Sequence, residues 1–282
     1  RGLCRCAGAG GVMDMLPERL ELTAILDPKP RYKGTSHEDA TARAMGFRAA
    51  LLPGVFVYGH ATRLAVMGWG EDWLARGRAQ VRFRRPVHAG DPLVVERGAL
   101  VRGADGVDAS VQVSNADTGE IVLDGSFGLA DAPEAAPAQL PILPSLTPRR
   151  PILPGEVPVG LQLGAEPSVL DAATVRESLA DFHETEPIYA ERGLVHSGCL
   201  IRKTMGDALG NLTLPMPVIF TGLSVSHLAP APVGATFRTS SCLTRSWDAR
   251  GKHYFETDEW LIADGVPVAR HLRQNLYAMD TK

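Results

Sequence analysis

His37 stands in the run Thr35-Ser36-His37-Glu38-Asp39, with two acids close behind it. A histidine next to carboxylates can draw a proton from a water molecule and so serve as a general base. The same run also fits a helix start, with Ser36 as cap and Asp39 as the acid three positions on. The two readings are compatible, because a capped turn can still present His37. A second candidate is Leu52-Pro53-Gly54-Val55. Free backbone N–H groups at a helix start can stabilise a developing oxyanion, and glycine lets a carbonyl approach closely. Pro-Gly also simply starts helices. The matching place further on is Val195-His196-Ser197-Gly198, with a histidine at its mouth. A third candidate is Asp181-Phe182-His183-Glu184-Thr185 with Tyr189, which reads equally well as a solvated helix end.

Four more polar residues fall on helices that must be buried: Tyr58 and His60 on one, Arg202 and Lys203 on the other. Buried polar groups need partners. His60 reads as a group satisfying backbone at a seam. Arg202, at the place matching Tyr58, requires an acid or an anionic ligand. His88, His227, His253 and His271 lie in or beside strands and read as structural. The sequence carries no dinucleotide fingerprint, phosphate loop, metal-spaced His/Cys set or serine elbow.

The elements that position these residues occur twice. Adding 144 to Gly54, Val81, Pro86 and Gly90 gives Gly198, Val225, Pro230 and Gly234, with every residue type kept. Such a tandem folds as two similar units packed together. In the first, Val55–Met67 is apolar on most faces and predicts a buried helix. Strands follow over Gln80–Phe83, Leu93–Glu96, Val107–Val113 and Ile121–Leu129. In the second, a helix over Cys199–Leu209 precedes strands near Leu223–His227, Thr236–Thr244, Tyr254–Ile262 and Pro267–Tyr277. A long helix followed by an antiparallel meander predicts an α+β fold, with a curled sheet around a central helix in each half. Eight prolines between Ala130 and Gly160 predict an extended linker wrapped over a surface. The expected division is 1–12 ahead of the fold, 13–132 the first unit, 133–158 the linker and 159–282 the second unit. Arg1–Val12 reads as upstream sequence, with Met13 or Met15 as the natural start.

The 282 residues carry a net charge of -3, which gives no electrostatic case for nucleic acid. No run of 18 apolar residues suggests a membrane span. Cys4, Cys6, Cys199 and Cys242 lack metal spacing and read as free thiols in a reducing cytosol, so a cytoplasmic location is expected.

His37-x-Asp39, Ala42, Gly46-Phe47, Leu52-Pro53-Gly54 and the block Val81-x-Phe83-x-x-Pro86-Val87-x-x-Gly90-Asp91 resemble the MaoC-like hot-dog dehydratases. Tyr189-Ala190, Gly193-Leu194-Val195-His196-x-Gly198 and Pro230-x-x-x-Gly234 resemble the same family's other branch. The likeness runs over nearly the whole chain from Met15. It implies a double hot-dog and (R)-specific hydration or dehydration of a 2-enoyl thioester, usually on coenzyme A. In that family a His and an Asp hold one water, and the amide of the central-helix glycine polarises the thioester carbonyl.

Carried over, His37 is the base, Gly54 the oxyanion donor, and the acid comes from Asp39 or the other half. The family's Asp stands five residues before its His, where this chain has Tyr32; Ser178 holds that place before His183. Val55, Tyr58, Asp181, His183, Tyr189, His196, Gly198 and Arg202 are expected to line the thioester site. A hot-dog thioesterase using Glu38, Asp39, Asp181 or Glu184 is the second reading. A non-catalytic acyl-thioester-binding protein is the third. No metal or redox cofactor is expected, since coenzyme A or a carrier arm would enter as substrate. The covalent pair would be a monomeric pseudo-dimer or form a homodimer.

Overall fold

The computed structural model describes residues 16–280, so Cys4, Cys6 and the segment 1–12 lie outside it. One antiparallel sheet runs through both halves. From edge to edge its strands are Arg19–Thr23, Pro92–Arg97, Gly106–Asn115, Ile121–Ala130, Gly77–Phe83, Ile219–His227, Val266–Met279, Lys252–Ala263, Thr236–Ala249 and the short Gln162–Leu163. The two halves join where Gly77–Phe83 pairs with Ile219–His227. At its centre Gln80 faces Ser224, two residues separated by the repeat offset. The pseudo-twofold axis implied by the duplication therefore passes through this pair.

Both central helices pack against the sheet and against each other. The first spans Gly54–Arg76 and is buried over most of its length. Its β-branched residues Val55, Val57, Thr62 and Val66 are modest helix formers, so burial rather than propensity holds it. The sequence predicted its end near Met67. The chain instead passes a non-helical Gly70 (φ 54°) and continues to Arg76. Trp73 explains the extension: wholly buried, it packs on Phe127 at 5.3 Å and His227 at 5.5 Å between ring centroids. The second helix, Ser197–Gly210, buries Leu200, Ile201, Thr204 and Ala208.

The proline-rich linker wraps the second half. Arg150–Pro151 pairs in parallel with Leu212–Thr213, and the Asn211 side chain accepts from the Leu146 amide at 2.7 Å. Ile152, from the linker, joins Leu163, Leu212, Phe255 and Tyr277 in a separate small core.

Gly90 and Gly234 keep the repeat for a backbone reason, with φ at +93° and +86°. A Cβ at either would meet nothing within 4 Å, so the constraint is conformational alone. Gly90→Ala and Gly234→Ala are each expected to cost about 1–2 kcal/mol in urea unfolding; an unchanged midpoint would contradict this.

Candidate functional site

The loop before the first central helix is stitched to the strand-like Ala50–Leu51. The Leu51 amide donates to Ser36 O at 2.8 Å, and His37 Nδ1 lies 2.7 Å from Leu51 O. A carbonyl can only accept, so Nδ1 carries the proton and Nε2 keeps its lone pair. Burial lowers the His37 pKa, opposed by the Leu51 bond, and the ring is neutral at pH 7. Tyr32, at the position of the family's Asp, meets the His37 ring edge-on at 5.6 Å.

Asp39 is exposed and turned to the loop: it accepts from the Ala50 amide at 2.7 Å and from Arg43 at 3.2 Å. Among the described residues no carboxylate oxygen lies within 4.0 Å of a His37 ring nitrogen. The capping expectation at Ser36 is corrected. The short helix Asp39–Ala44 has Glu38 as its cap residue without a side-chain cap bond. Glu38 accepts instead from the Gly34 amide and the Thr41 hydroxyl at 2.8 and 2.7 Å. Beside Leu51, which bridges to His88, opens a cleft of about 670 Å³ lined by Arg48, Arg85, His88 and Asp91.

Three residues beyond Leu51 the first helix begins. Pro53 precedes it without a cap bond, and the Gly54 amide has no acceptor among the described residues. Phe83 and Phe220, one from each half, pack as tilted rings with centroids 4.7 Å apart against Gly54, leaving 3.3–3.4 Å for an added Cβ. Val55 itself points into the core, 3% exposed.

The second helix start is built differently. His196 caps it, and its Nδ1 accepts from the Gly198 amide at 3.0 Å. The equivalent of the Gly54 donor is therefore occupied by the chain itself. Phe182 fills the space beside it, since a Cβ on Gly198 or Gly59 would come within 2.5 Å of that ring. With Nδ1 accepting, His196 Nε2 carries the proton and faces Glu184 Oε2 at 3.7 Å. Tyr189 packs 5.2 Å from His196, and its hydroxyl has no partner among the described residues. His183 adopts φ +48° and lies 3.8 Å from Asp27. Tyr58 OH, Ser197 Oγ and His227 Nε2 form a buried chain with 3.1 Å steps.

Asp181 and Arg202 belong together. The Asp181 carboxylate, 2% exposed, receives Arg202 at 2.7 Å, Arg31 at 2.5 Å and Lys29. Burial pushes this carboxyl up, but the bonds from Lys29 and Arg202 and the nearby positive charges outweigh it and bring the pKa down. Arg202 also lies over the Phe56 ring at 5.8 Å. A line of contacts thus runs from His37 through Tyr32, Arg31, Asp181 and Arg202 to Phe56 on the first helix.

Across 97% of this chain and 99% of the other, the structure matches a protein of Chloroflexus aurantiacus J-10-fl described as a MaoC domain dehydratase. The TM-score is 0.64 and the identity 13%. It also matches a Mycobacterium tuberculosis protein with a double hot-dog fold, at TM-score 0.58 and 16% identity, over 93% of this chain and 97% of that one. The chain is a double hot-dog. A further structure, described as a MaoC-like dehydratase, aligns over 95% of this double hot-dog and 100% of its own length at TM-score 0.57 and 15% identity. No protein-family model and no curated protein matches the sequence. No helix among the described residues is long and apolar enough to cross a membrane.

Sequence reasoning missed Lys29, Arg31, Glu177 and the wedge Phe182. Lys29 and Arg31 meet Glu177 and Asp181 from 146–152 positions away, and no local spacing announces such contacts. Four histidines lie in the double hot-dog interior. Burial, first of all, lowers His60 to about 4 and His196, His227 and His271 to about 3. Their folded pKa values lie below the unfolded value of about 6.5. The unfolded chain therefore takes up protons that the folded chain refuses as pH falls through that value. Stability should be complete above it and decline below it, by on the order of 1 kcal/mol per histidine per pH unit. Urea midpoints measured from about pH 7 to about pH 5 should fall steadily; a flat profile would overturn the burial argument.

Proposed function

We propose that the chain hydrates 2-enoyl thioesters, or dehydrates the corresponding 3-hydroxyacyl thioesters, at the start of the first central helix. One observation carries this reading: a neutral His37, its Nε2 without a partner among the described residues, is tied through Leu51 to a helix whose first amide, on Gly54, has no acceptor among them. In the hydration direction His37 Nε2 takes a proton from water as the oxygen bonds to C3. The displaced electron pair moves to the thioester oxygen, where the Gly54 amide stabilises it. The proton then returns to C2 as the carbonyl re-forms, so atoms and charge balance. The fold likeness to proteins described as MaoC-like dehydratases supports the reaction class, and a coenzyme A or carrier-arm thioester is the proposed substrate. Because His196 occupies the second amide, one chain would process one thioester.

A second reading, binding without turnover, is favoured by the lack, among the described residues, of a carboxylate within 4.0 Å of His37. Absorbance at the enoyl band with crotonyl-coenzyme A separates the two. Wild type is expected to turn over, and His37→Ala to lose about 100- to 10,000-fold in rate with its melting curve preserved. Equal rates in both would exclude His37 as base. Binding at one equivalent per chain without absorbance change would favour the second reading, and thiol release without that change would indicate a thioesterase.

A further inference from the structure

The two halves share a scaffold but not an interior. By strand register Glu259, opposite His271, stands where the first half has Val111 opposite Gly125, and Thr257, opposite Arg273, where it has Ala109 opposite Phe127. Arg273 thus replaces Phe127, and Asn275, two residues on, replaces Leu129. All eight side chains are buried, and the four polar ones are 0% exposed. Arg273 donates to Glu259 Oε1 through Nε at 3.0 Å and Nη2 at 2.5 Å, and through Nη1 to Asn275 at 2.6 Å. The Thr257 hydroxyl adds a third donor to the same Glu259 oxygen at 2.7 Å. A buried ion pair seldom improves on well-packed apolar residues of similar size. The first half shows that this scaffold accepts the apolar set.

The second Glu259 oxygen has no donor among the described residues. Ser241, Glu259 and His271 stand directly opposite one another on three neighbouring strands, so their side chains share one face of the sheet. All three are nine-tenths or more buried. Each also leaves an atom without a partner among the described residues: Ser241 Oγ, Glu259 Oε2 and His271 Nε2.

Their hydrogen-bonding capacities are complementary. Glu259 Oε2, on a carboxylate paired with arginine, only accepts. Thr204 Oγ1 lies 3.3 Å from Ile201 O and 2.9 Å from His271 Nδ1. A Thr204 proton given to Ile201 leaves Nδ1–H to donate to Thr204, which makes His271 Nε2 an acceptor. Ser241 can donate. Two acceptors and one donor match the valences of one molecule.

We propose that this row binds a water molecule, which donates to Glu259 Oε2 and His271 Nε2 and accepts from Ser241 Oγ. Buried waters commonly make about three such bonds. The site lies in the body of the second half and does not depend on the thioester reading. A crystal structure of the full chain is expected to show a solvent peak about 2.7–3.2 Å from at least two of the three atoms. In solution the unaltered protein is expected to show a water-to-ring Overhauser effect at His271. Ser241→Val removes the donor and reaches into the water's place, and should abolish both signals. A dry core in which Ser241 donates directly to Glu259, or an Overhauser effect that persists in Ser241→Val, would overturn the proposal.

Discussion

The pairing of Gly77–Phe83 with Ile219–His227 is the contact on which the rest of the molecule depends. Alone, each half would present a bare strand edge there, ready to pair with anything extended. Joined, they form one sheet that carries both central helices side by side. That placement brings the loop ahead of the first helix against the helix ahead of the second, where Lys29 and Arg31 meet Asp181. It also aligns Tyr58, Ser197 and His227, one from each helix and one from the joining strand itself. Polar contacts between the halves are consequences of this register. A shift by one residue would turn every inward side chain of the joining strands outward.

Within that symmetric frame the two helix starts have diverged by small means. The equivalent glycines Gly54 and Gly198 lie in the first turns, as the first residue of one helix and the second of the other, and the difference is what meets their amides. His196 supplies an acceptor from within the chain, and Phe182 closes the space around it. At Gly54 a proline precedes the helix and offers no such group. A histidine ahead of the second helix thus separates a glycine amide committed to a side chain of its own chain from one with no acceptor among the described residues.

Much of the scaffold was legible in the sequence because its rules are local. Glycines at 90 and 234 hold positive φ in both copies, and period-two alternation located the strands. His37 and Gly54 were singled out from their local runs, and His37 is bonded to Leu51, three residues before Gly54. What was not legible is long-range. The Asp181 cluster joins residues about 150 positions apart, and the helix passes Gly70 because Trp73 finds Phe127 and His227. The polar interior of the second half did leave a trace. His271, Arg273 and Asn275 share strand parity with the buried Ala269 and Tyr277, which places charge on the inward face.

The linker holds to one half only. Ile152 helps close the small core of the second half and Asn211 fastens the chain near Leu146, while Pro137, Ala138 and Gln139 are exposed. Severed there, the chain would become two pieces, each with its own central helix, still joined by the continuous sheet. The covalent bond therefore acts through proximity, giving one half an effective concentration on the order of millimolar around the other. What it enforces is unlike pairing. Every half whose glycine amide lacks an acceptor is born beside a half whose amide is filled, so unlike pairing is favoured over association of either half with a copy of itself.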